Sequence, residues 1–286
     1  MVGSAATGAA LSFSERDLER FREVQQLAYR CAEETAQWLE PGVTERQAAD
    51  ELRRRLIAGG VEDFFHVPFA WFGDRTAFRN FRVPFQFFPG NRQLREGMPF
   101  VLDCAPIVDG YTADIGYGGV IGANRVWQRL CADLREYRDF ILRQVRQGHT
   151  LDEIYKRVDE LIDRHGFCNR HQVYPGRVIG HQVTRQHAIG PKGVTVFGFG
   201  IRTLQTLGRE LITERLHGRS PLWADKRASA HAPTPGLWAV EPHIAFRDVG
   251  IKFEELLVVT GDPGNPAYWL DDDLPHVRRW QRMEDA

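Results

Sequence analysis

The chain has 286 residues, 43% of them hydrophobic, so it can bury a sizeable core within one large domain. Its 37 basic and 38 acidic residues nearly balance, which argues against binding to nucleic acid or to an anionic membrane. The four cysteines form no CxxC pair, which argues against a thiolate zinc site and a disulfide framework. With no secretory signal and no apolar run of ~20 residues, we expect a cytoplasmic protein with a disordered leader over residues 1–13.

Two pairs of amphipathic helices are predicted, and three of the four helices begin with a recognisable cap. Ser14 begins the first helix and Thr44 the second; further along the chain, a third helix ends near Gly148 and Thr150 begins the fourth. Each of the three caps is followed three residues later by Asp, Gln or Glu, the pattern of a capping box. Helix pairs therefore occur in both halves of the chain.

Each helix pair precedes a predicted β-hairpin that carries two carboxylates. Asp109-Gly110 is a two-residue turn in the first hairpin, so Val108 pairs with Tyr111. This register places Asp103 and Asp114 on one face as diagonal neighbours. Two anions on an otherwise apolar face need a cation.

The second hairpin repeats this arrangement. A four-residue loop over 247–250 pairs Phe246 with Ile251, which places Glu241 and Glu254 on one face, again diagonally. The recurrence of a helix pair followed by a hairpin predicts an internal structural duplication.

Four carboxylates and one histidine are the candidate metal ligands: Asp103, Asp114, His181, Glu241 and Glu254. Three of the carboxylates adjoin apolar stretches that we expect to be buried, and buried charges must be paired or bound to metal. His181 follows a glycine that lets the backbone approach a ligand closely, and it supplies the one nitrogen donor. This donor set suits manganese, iron, cobalt or zinc, and its charge favours two divalent transition-metal ions over one.

With these residues placed, the chain resembles the pita-bread metallopeptidases, which include methionine aminopeptidase, aminopeptidase P and prolidase. The resemblance covers roughly residues 15 to 262 and is carried by residues 91–103, Ala113-Asp114-Ile115-Gly116, Gly180-His181, Glu241-Pro242 and residues 253–260. The Glu241 to Glu254 spacing is closest to the aminopeptidase P and prolidase branch. The resemblance implies an α+β pita-bread fold, with two pseudo-symmetric halves of helix pair plus antiparallel hairpin around a central cleft.

Several departures from the family pattern surround these ligands. Family peptidases have a substrate-contacting His shortly before the first hairpin, whereas this chain has Phe85-Gln86 there and no His between His66 and Asp103. Arg177 stands where the prolidase-like branch has a further His, and Lys252 stands where it often has Arg.

The resemblance implies a dinuclear-metal hydrolase that cleaves an amide bond in a short peptide or peptide-like small molecule. Glu241 would carry the proton, His187 would help to hold the tetrahedral intermediate, and Arg177 would offer a fixed positive charge. One alternative is a non-peptidase of the same fold, a hydrolase, lyase or iron-dependent oxidase acting on a specialised small metabolite. Another is a non-catalytic binding protein. We expect Xaa-Pro and methionyl peptides to be poor substrates unless His66 or another His folds into the vacant place.

The expected domain organisation is a single catalytic domain over residues 14–262. Residues 194–223 exceed the usual connection and include a predicted helix from Leu204 to Leu216. This insertion is expected to form a lid over the site or a homodimer contact. Residues 263–286 are expected to form a C-terminal tail.

Overall fold

The computed structural model describes residues 13–186 and 191–284, and within these ranges no helix is long and apolar enough to cross a membrane. The helices are α1 (Glu15–Trp38), α2 (Glu45–Ala58), α3 (Arg125–Arg146), α4 (Leu151–Arg164), α5 (Ile201–Leu216) and α6 (Pro275–Glu284). The strands are β1 (Asp63–Phe72), β2 (Pro99–Val108), β3 (Tyr111–Thr112), β4 (Ile115–Val120), β5 (Cys168–Asn169), β6 (Val178–Val183), β7 (Thr195–Val196), β8 (Phe199–Gly200), β9 (Leu222–Ala224), β10 (Gly236–Val240), β11 (His243–Phe246), β12 (Val249–Lys252), β13 (Glu255–Val259) and β14 (Ala267–Trp269).

The predicted capping boxes begin α1, α2 and α4. The side chains of Ser14, Thr44 and Thr150 each accept a hydrogen bond from the backbone N–H three residues later, and the side chain of that later residue bonds back to the cap's own N–H. These reciprocal bonds satisfy donors that a helix start otherwise leaves unpaired.

The strands form antiparallel sheets, and the first four helices pack against them. One sheet has the order β3-β2-β1-β8-β7 with β4 also on β2, the second has the order β14-β13-β10-β6-β9, and the third has the order β12-β11-β5. Helix α1 packs on β2, β3 and β4, and α2 packs on β1. In the second half α3 packs on β11, β12 and β14, while α4 packs on β9. This confirms the predicted pita-bread arrangement, in which each half combines a helix pair with an antiparallel hairpin.

The register of the first hairpin agrees with the prediction. Val108 pairs with Tyr111, and Asp103 lies opposite Gly116. The turn residues Asp109-Gly110 have φ of 51° and 81°, the left-handed conformation that a two-residue hairpin turn requires.

The register of the second hairpin differs from the prediction. Its turn is the two-residue segment Arg247-Asp248, which pairs Phe246 with Val249, so the predicted four-residue loop is wrong. The slip is two residues, and a slip of two preserves the face of every side chain. Glu241 and Glu254 therefore stay on one face, but they lie directly opposite each other instead of diagonally.

The insertion and the C-terminal segment both join the sheets. Strand β8 of the insertion pairs with β1, and β9 pairs with β6. Helix α5 extends the predicted helix by one turn toward its start. Beyond residue 262, which the sequence assigned to a tail, β14 extends the second sheet and α6 buries Trp280 against α3. The predicted leader lies outside the described residues except for Phe13, which packs on the core.

Candidate metal site

The five predicted ligands line one cavity of about 320 Å³. Asp103 and Asp114 reach it from the first hairpin, and Glu241 and Glu254 from the strands of the second half. His181 enters from β6. Its backbone is close to β10, since a Cβ on the preceding Gly180 would lie 2.4 Å from the carbonyl oxygen of Ala239. This close approach gives the Gly-His motif a structural reason.

Asp114 lies at the centre of the polar contacts. Nε2 of His181 is 3.3 Å from its Oδ2, and Nε2 of His66 is 3.0 Å from its Oδ1. The same Nε2 of His66 lies 3.3 Å from Oδ1 of Asp103. The two imidazoles therefore face opposite oxygens of one carboxylate.

Lys252 supplies a buried cation beneath the carboxylates. Its side chain is 1% exposed, and its ammonium donates hydrogen bonds to Oδ2 of Asp103 at 2.6 Å, Oε2 of Glu241 at 2.9 Å and Oε2 of Glu254 at 2.8 Å. Burial disfavours the charged ammonium, but these three carboxylates outweigh burial and raise the pKa of Lys252 well above its ordinary value. The lysine therefore orients one oxygen of each of these three carboxylates.

Lys252 alone does not neutralise the negative charges of the carboxylates in the site. Burial, together with the charge of Asp114, raises the pKa of Glu241 and holds that of Glu254 well above its ordinary value. Burial opposes protonation of His66, yet Asp114 outweighs it and raises the pKa of His66 to about 9. Although burial disfavours the charged form of Asp114 as well, His66 and His181 lower its pKa. Without a further cation, the cluster favours protons on Glu241, on Glu254 and on the two imidazoles.

The donor chemistry of the cavity fits divalent metal ions. Two groups of side chains hold donor atoms within 4.8 Å of one another: the first is His66, Asp103 and Asp114, and the second is Asp114, His181 and Glu254. Four carboxylates against one ammonium leave an excess of negative charge for metal ions to neutralise. Glu241 lines the same cavity but belongs to neither of these groups.

The structure brings one of the three predicted catalytic residues to the cavity. Glu241 is there, whereas Arg177 is exposed at the turn before β6, with φ of 56°, and is not among the lining residues. His187 lies outside the described residues.

His66 also lies in the site, although the sequence offered it only as a possible replacement for the missing substrate-contacting His and not as a ligand. The pairing of β1 with β2 shifts register on both sides of His66, so the consecutive residues Phe65 and His66 both line the cavity. A regular strand would direct them to opposite faces, and a bulge is the device that re-aims one of them. The one signal in the sequence for a role of His66 in the site is its position in an aromatic run before the hairpin.

Comparison with known proteins assigns the chain to a family. Residues 19–261 match the metallopeptidase family M24. The chain belongs to this family. The match makes it a member of a family of metal-dependent hydrolases and leaves the reaction class open.

Solved structures of this M24 fold are similar over most of the chain. An X-Pro aminopeptidase from Thermotoga maritima MSB8 has a TM-score of 0.66 at 18% identity, covering 93% of this chain and 64% of that one. A prolidase from Pyrococcus furiosus has a TM-score of 0.62 at 16% identity, covering 90% of this chain and 64% of that one. A methionine aminopeptidase from Rickettsia prowazekii has a TM-score of 0.59 at 15% identity, covering 92% of this chain and 99% of that one. At these identities the likeness concerns the fold.

The curated relatives are longer proteins. An uncharacterized peptidase of Staphylococcus saprophyticus is 28% identical over 102 residues, which are 36% of this chain and 27% of that protein. An uncharacterized peptidase of Staphylococcus aureus (strain bovine RF122) is 24% identical over 169 residues, 59% of this chain and 45% of that protein. The matched segments therefore span less than half of each relative.

Proposed function

We propose that this M24 protein is a dinuclear-metal-dependent hydrolase that cleaves an amide bond in a short peptide or peptide-like substrate. The observation that carries the proposal is the pair of donor groups that share Asp114 at one cavity. Divalent manganese, iron, cobalt or zinc bound there would polarise a carbonyl and lower the pKa of a water molecule. Asp103, Asp114, His181, Glu241 and Glu254 are the side chains proposed to hold the ions.

The protein's own groups would position the ligands and move the proton. Lys252 fixes Oε2 of Glu241, which leaves Oε1 as the atom that accepts a proton and returns it to the leaving amine. Because the same ammonium holds Asp103 and Glu254, the carboxylates are oriented before substrate arrives.

The cavity favours an apolar substrate. It is walled by aromatic rings, those of Phe65, Phe69, Trp71, Phe87, Phe88, Tyr174, Phe197 and Phe199. Its volume of about 320 Å³ is at the lower end of the ~300 to 1,000 Å³ of small-molecule sites. Within the described chain, neither Arg nor Lys is among its lining residues. This environment suits a substrate that places a free amine beside the carboxylates and an apolar or aromatic side chain against the rings. It is less suited to a substrate with a free carboxylate.

The test is turnover on a panel of Xaa-Pro and Met-Xaa peptides, with manganese, cobalt, iron or zinc. In the Xaa-Pro peptides the N-terminal residue varies among Phe, Leu, Lys and Asp. We expect metal-dependent cleavage that is greatest for apolar residues and absent in Asp114→Asn. Turnover above about 10 s⁻¹ on an Xaa-Pro peptide would identify an ordinary peptidase of this fold and would contradict the expectation of poor Xaa-Pro turnover. Metal binding without cleavage of any peptide would overturn the proposed function.

A non-peptidase reaction is the second candidate, and one observation favours it. Each of the two donor groups contains one imidazole, from His66 or from His181, together with carboxylates, and imidazole is a ligand that also suits iron. Oxygen consumption by the iron-loaded protein with small metabolites, without hydrolysis of any peptide, would identify this class.

A further inference from the structure

We infer that His66 is a metal ligand through Nε2, so that each donor group around Asp114 contains one imidazole nitrogen. The inference rests on the proposed two-metal site and adds a donor to it. The sequence motifs supply a single nitrogen donor, His181, and place no His at this position of the site.

The first support is that His66 and His181 have the same pattern of hydrogen-bond contacts. Nε2 of each faces a different oxygen of Asp114, at 3.0 and 3.3 Å. Nδ1 of each lies beside the carbonyl oxygen of the next residue, at 2.9 Å from Val67 and 3.1 Å from Gln182. A carbonyl can only accept, so each Nδ1 carries the proton, and in the neutral ring Nε2 presents its lone pair to the site. This orientation, with the outer N–H donated to a backbone carbonyl, is the usual arrangement of a metal-bound imidazole.

The second support is what surrounds Nε2 of His66. His66 is 7% exposed, and its Nε2 lies between Oδ1 of Asp114 at 3.0 Å and Oδ1 of Asp103 at 3.3 Å. A substrate carbonyl placed there would face two carboxylate oxygens and be repelled by them. A metal cation placed there would be attracted by the two carboxylate oxygens and by the lone pair on Nε2 of the neutral imidazole. The position therefore fits a ligand better than a donor to substrate.

The third support is the way in which the chain holds the ring. Strand β8 of the insertion pairs with β1 at His66, opposite Phe199. The N–H of Val67 donates to the carbonyl of Gly198 at 2.8 Å, and the carbonyl of Val67 accepts from the imidazole. The insertion thus anchors the residue whose carbonyl orients His66. Ligands of bound metals are commonly fixed by outer partners of this kind.

A second imidazole changes which metals the site prefers. Imidazole nitrogen suits zinc and iron, whereas carboxylate and water suit manganese. We therefore expect the protein to prefer zinc, iron or cobalt over manganese. His66→Asp should shift the preference toward manganese.

The test uses the full chain loaded with cobalt(II) and does not depend on activity. Proton NMR in H₂O and in D₂O detects the exchangeable, paramagnetically shifted N–H of each imidazole bound to cobalt. We expect two such signals in the wild type, from Nδ1–H of His66 and of His181. His66→Gln should lose one of them and should bind one cobalt at least about tenfold more weakly. The matched control is His171→Gln, since His171 is also buried and lies 3.2 Å from a carboxylate, Asp159, outside the cavity.

The outcomes separate this inference from the proposed function. A single exchangeable signal in the wild type overturns the inference, and this spectrum requires no variant to fold. Unchanged cobalt content and affinity in a folded His66→Gln overturn it as well. Two signals together with no cleavage of any peptide would leave His66 as a ligand and remove the proposed function instead. A wild-type protein that binds no cobalt would overturn both.

Discussion

Nζ of Lys252 lies 2.6 Å from Oδ2 of Asp103, and this contact joins the second hairpin to the first. The lysine side chain passes over Gly116, where a Cβ would lie 2.4 Å from its Cε. Glycine at this position therefore leaves the space through which the ammonium reaches the carboxylates. The site contains its own cation before any metal binds.

Lys252→Met should destabilise the metal-free protein, because it leaves buried carboxylates without their partner. The expected loss is about 3–5 kcal/mol in the free energy of unfolding, measured in urea with a chelator. Divalent ions should restore part of it by taking over the neutralising charge. Lys226→Met, at an exposed site, is the control and should change stability by less than ~0.5 kcal/mol. Equal stability of Lys252→Met and wild type in chelator would refute the role of the lysine.

Gly116→Ala should displace the Lys252 side chain and weaken cobalt binding as well as thermal stability. Gly208→Ala is the matched control, since Gly208 lies in α5 with no atom within 4 Å of an added Cβ. That control should be neutral or stabilising by up to ~1 kcal/mol, because Ala is the better helix former. Cobalt titration and thermal unfolding of both variants check this. The idea fails if Gly116→Ala binds cobalt as tightly as Gly208→Ala.

A buried ion pair away from the cavity predicts a pH effect. Arg138 donates to both oxygens of Glu255, at 2.7 and 3.0 Å. Burial opposes ionisation of Glu255, but Arg138 outweighs it and lowers the pKa of Glu255 below the ordinary 4.5. A lowered pKa means that this pair contributes stability above about pH 4.5 and loses it as the pH falls through the lowered value.

Arg138→Leu should lower the free energy of unfolding by about 3–5 kcal/mol at pH 7, because the buried Glu255 loses its bidentate cation and keeps only His276, whose Nε2 lies 3.1 Å from its Oε1. In this variant burial would raise the pKa of Glu255, so the deficit should shrink as the pH falls from 7 to 5. The double variant Arg138→Leu/Glu255→Leu should recover most of the loss. Urea unfolding at both pH values measures these differences. A double variant as unstable as the single one would show that the pair's charge is not the cause.

The rim of the cavity predicts a role for Phe197 in substrate binding. Phe197 lines the cavity and is 63% exposed, and its ring lies 5.7 Å from that of Phe85, which is 68% exposed. Phe197→Ala should raise KM by about 2- to 12-fold, the equivalent of ~0.5–1.5 kcal/mol for an aromatic contact. Ile212→Ala, on the exposed side of α5, should leave KM unchanged. If Phe197→Ala instead changes the oligomeric state with unchanged kinetic constants, the insertion is a homodimer contact.

Some features could be predicted from the sequence because short-range rules govern them. The caps at Ser14, Thr44 and Thr150 follow from hydrogen bonds within one helical turn, and the first hairpin follows from an Asp-Gly pair that accepts a left-handed turn. Carboxylates in buried strands need a cation, and this requirement predicted Asp103, Asp114, Glu241 and Glu254 as metal ligands. Their role as ligands stays a prediction.

Other features depended on strands that meet only in the folded chain. The second hairpin turns at Arg247, whose φ of 54° a non-glycine residue seldom adopts, so the sequence did not indicate the two-residue turn. His66 enters the cavity because a bulge re-aims it, and the shifted pairing involves residues distant in sequence. Lys252 reaches three carboxylates because Glu254 bridges to Gly116 and brings the two hairpins together. Composition and local spacing select the elements, but the packing between the halves decides which side chains share the cavity.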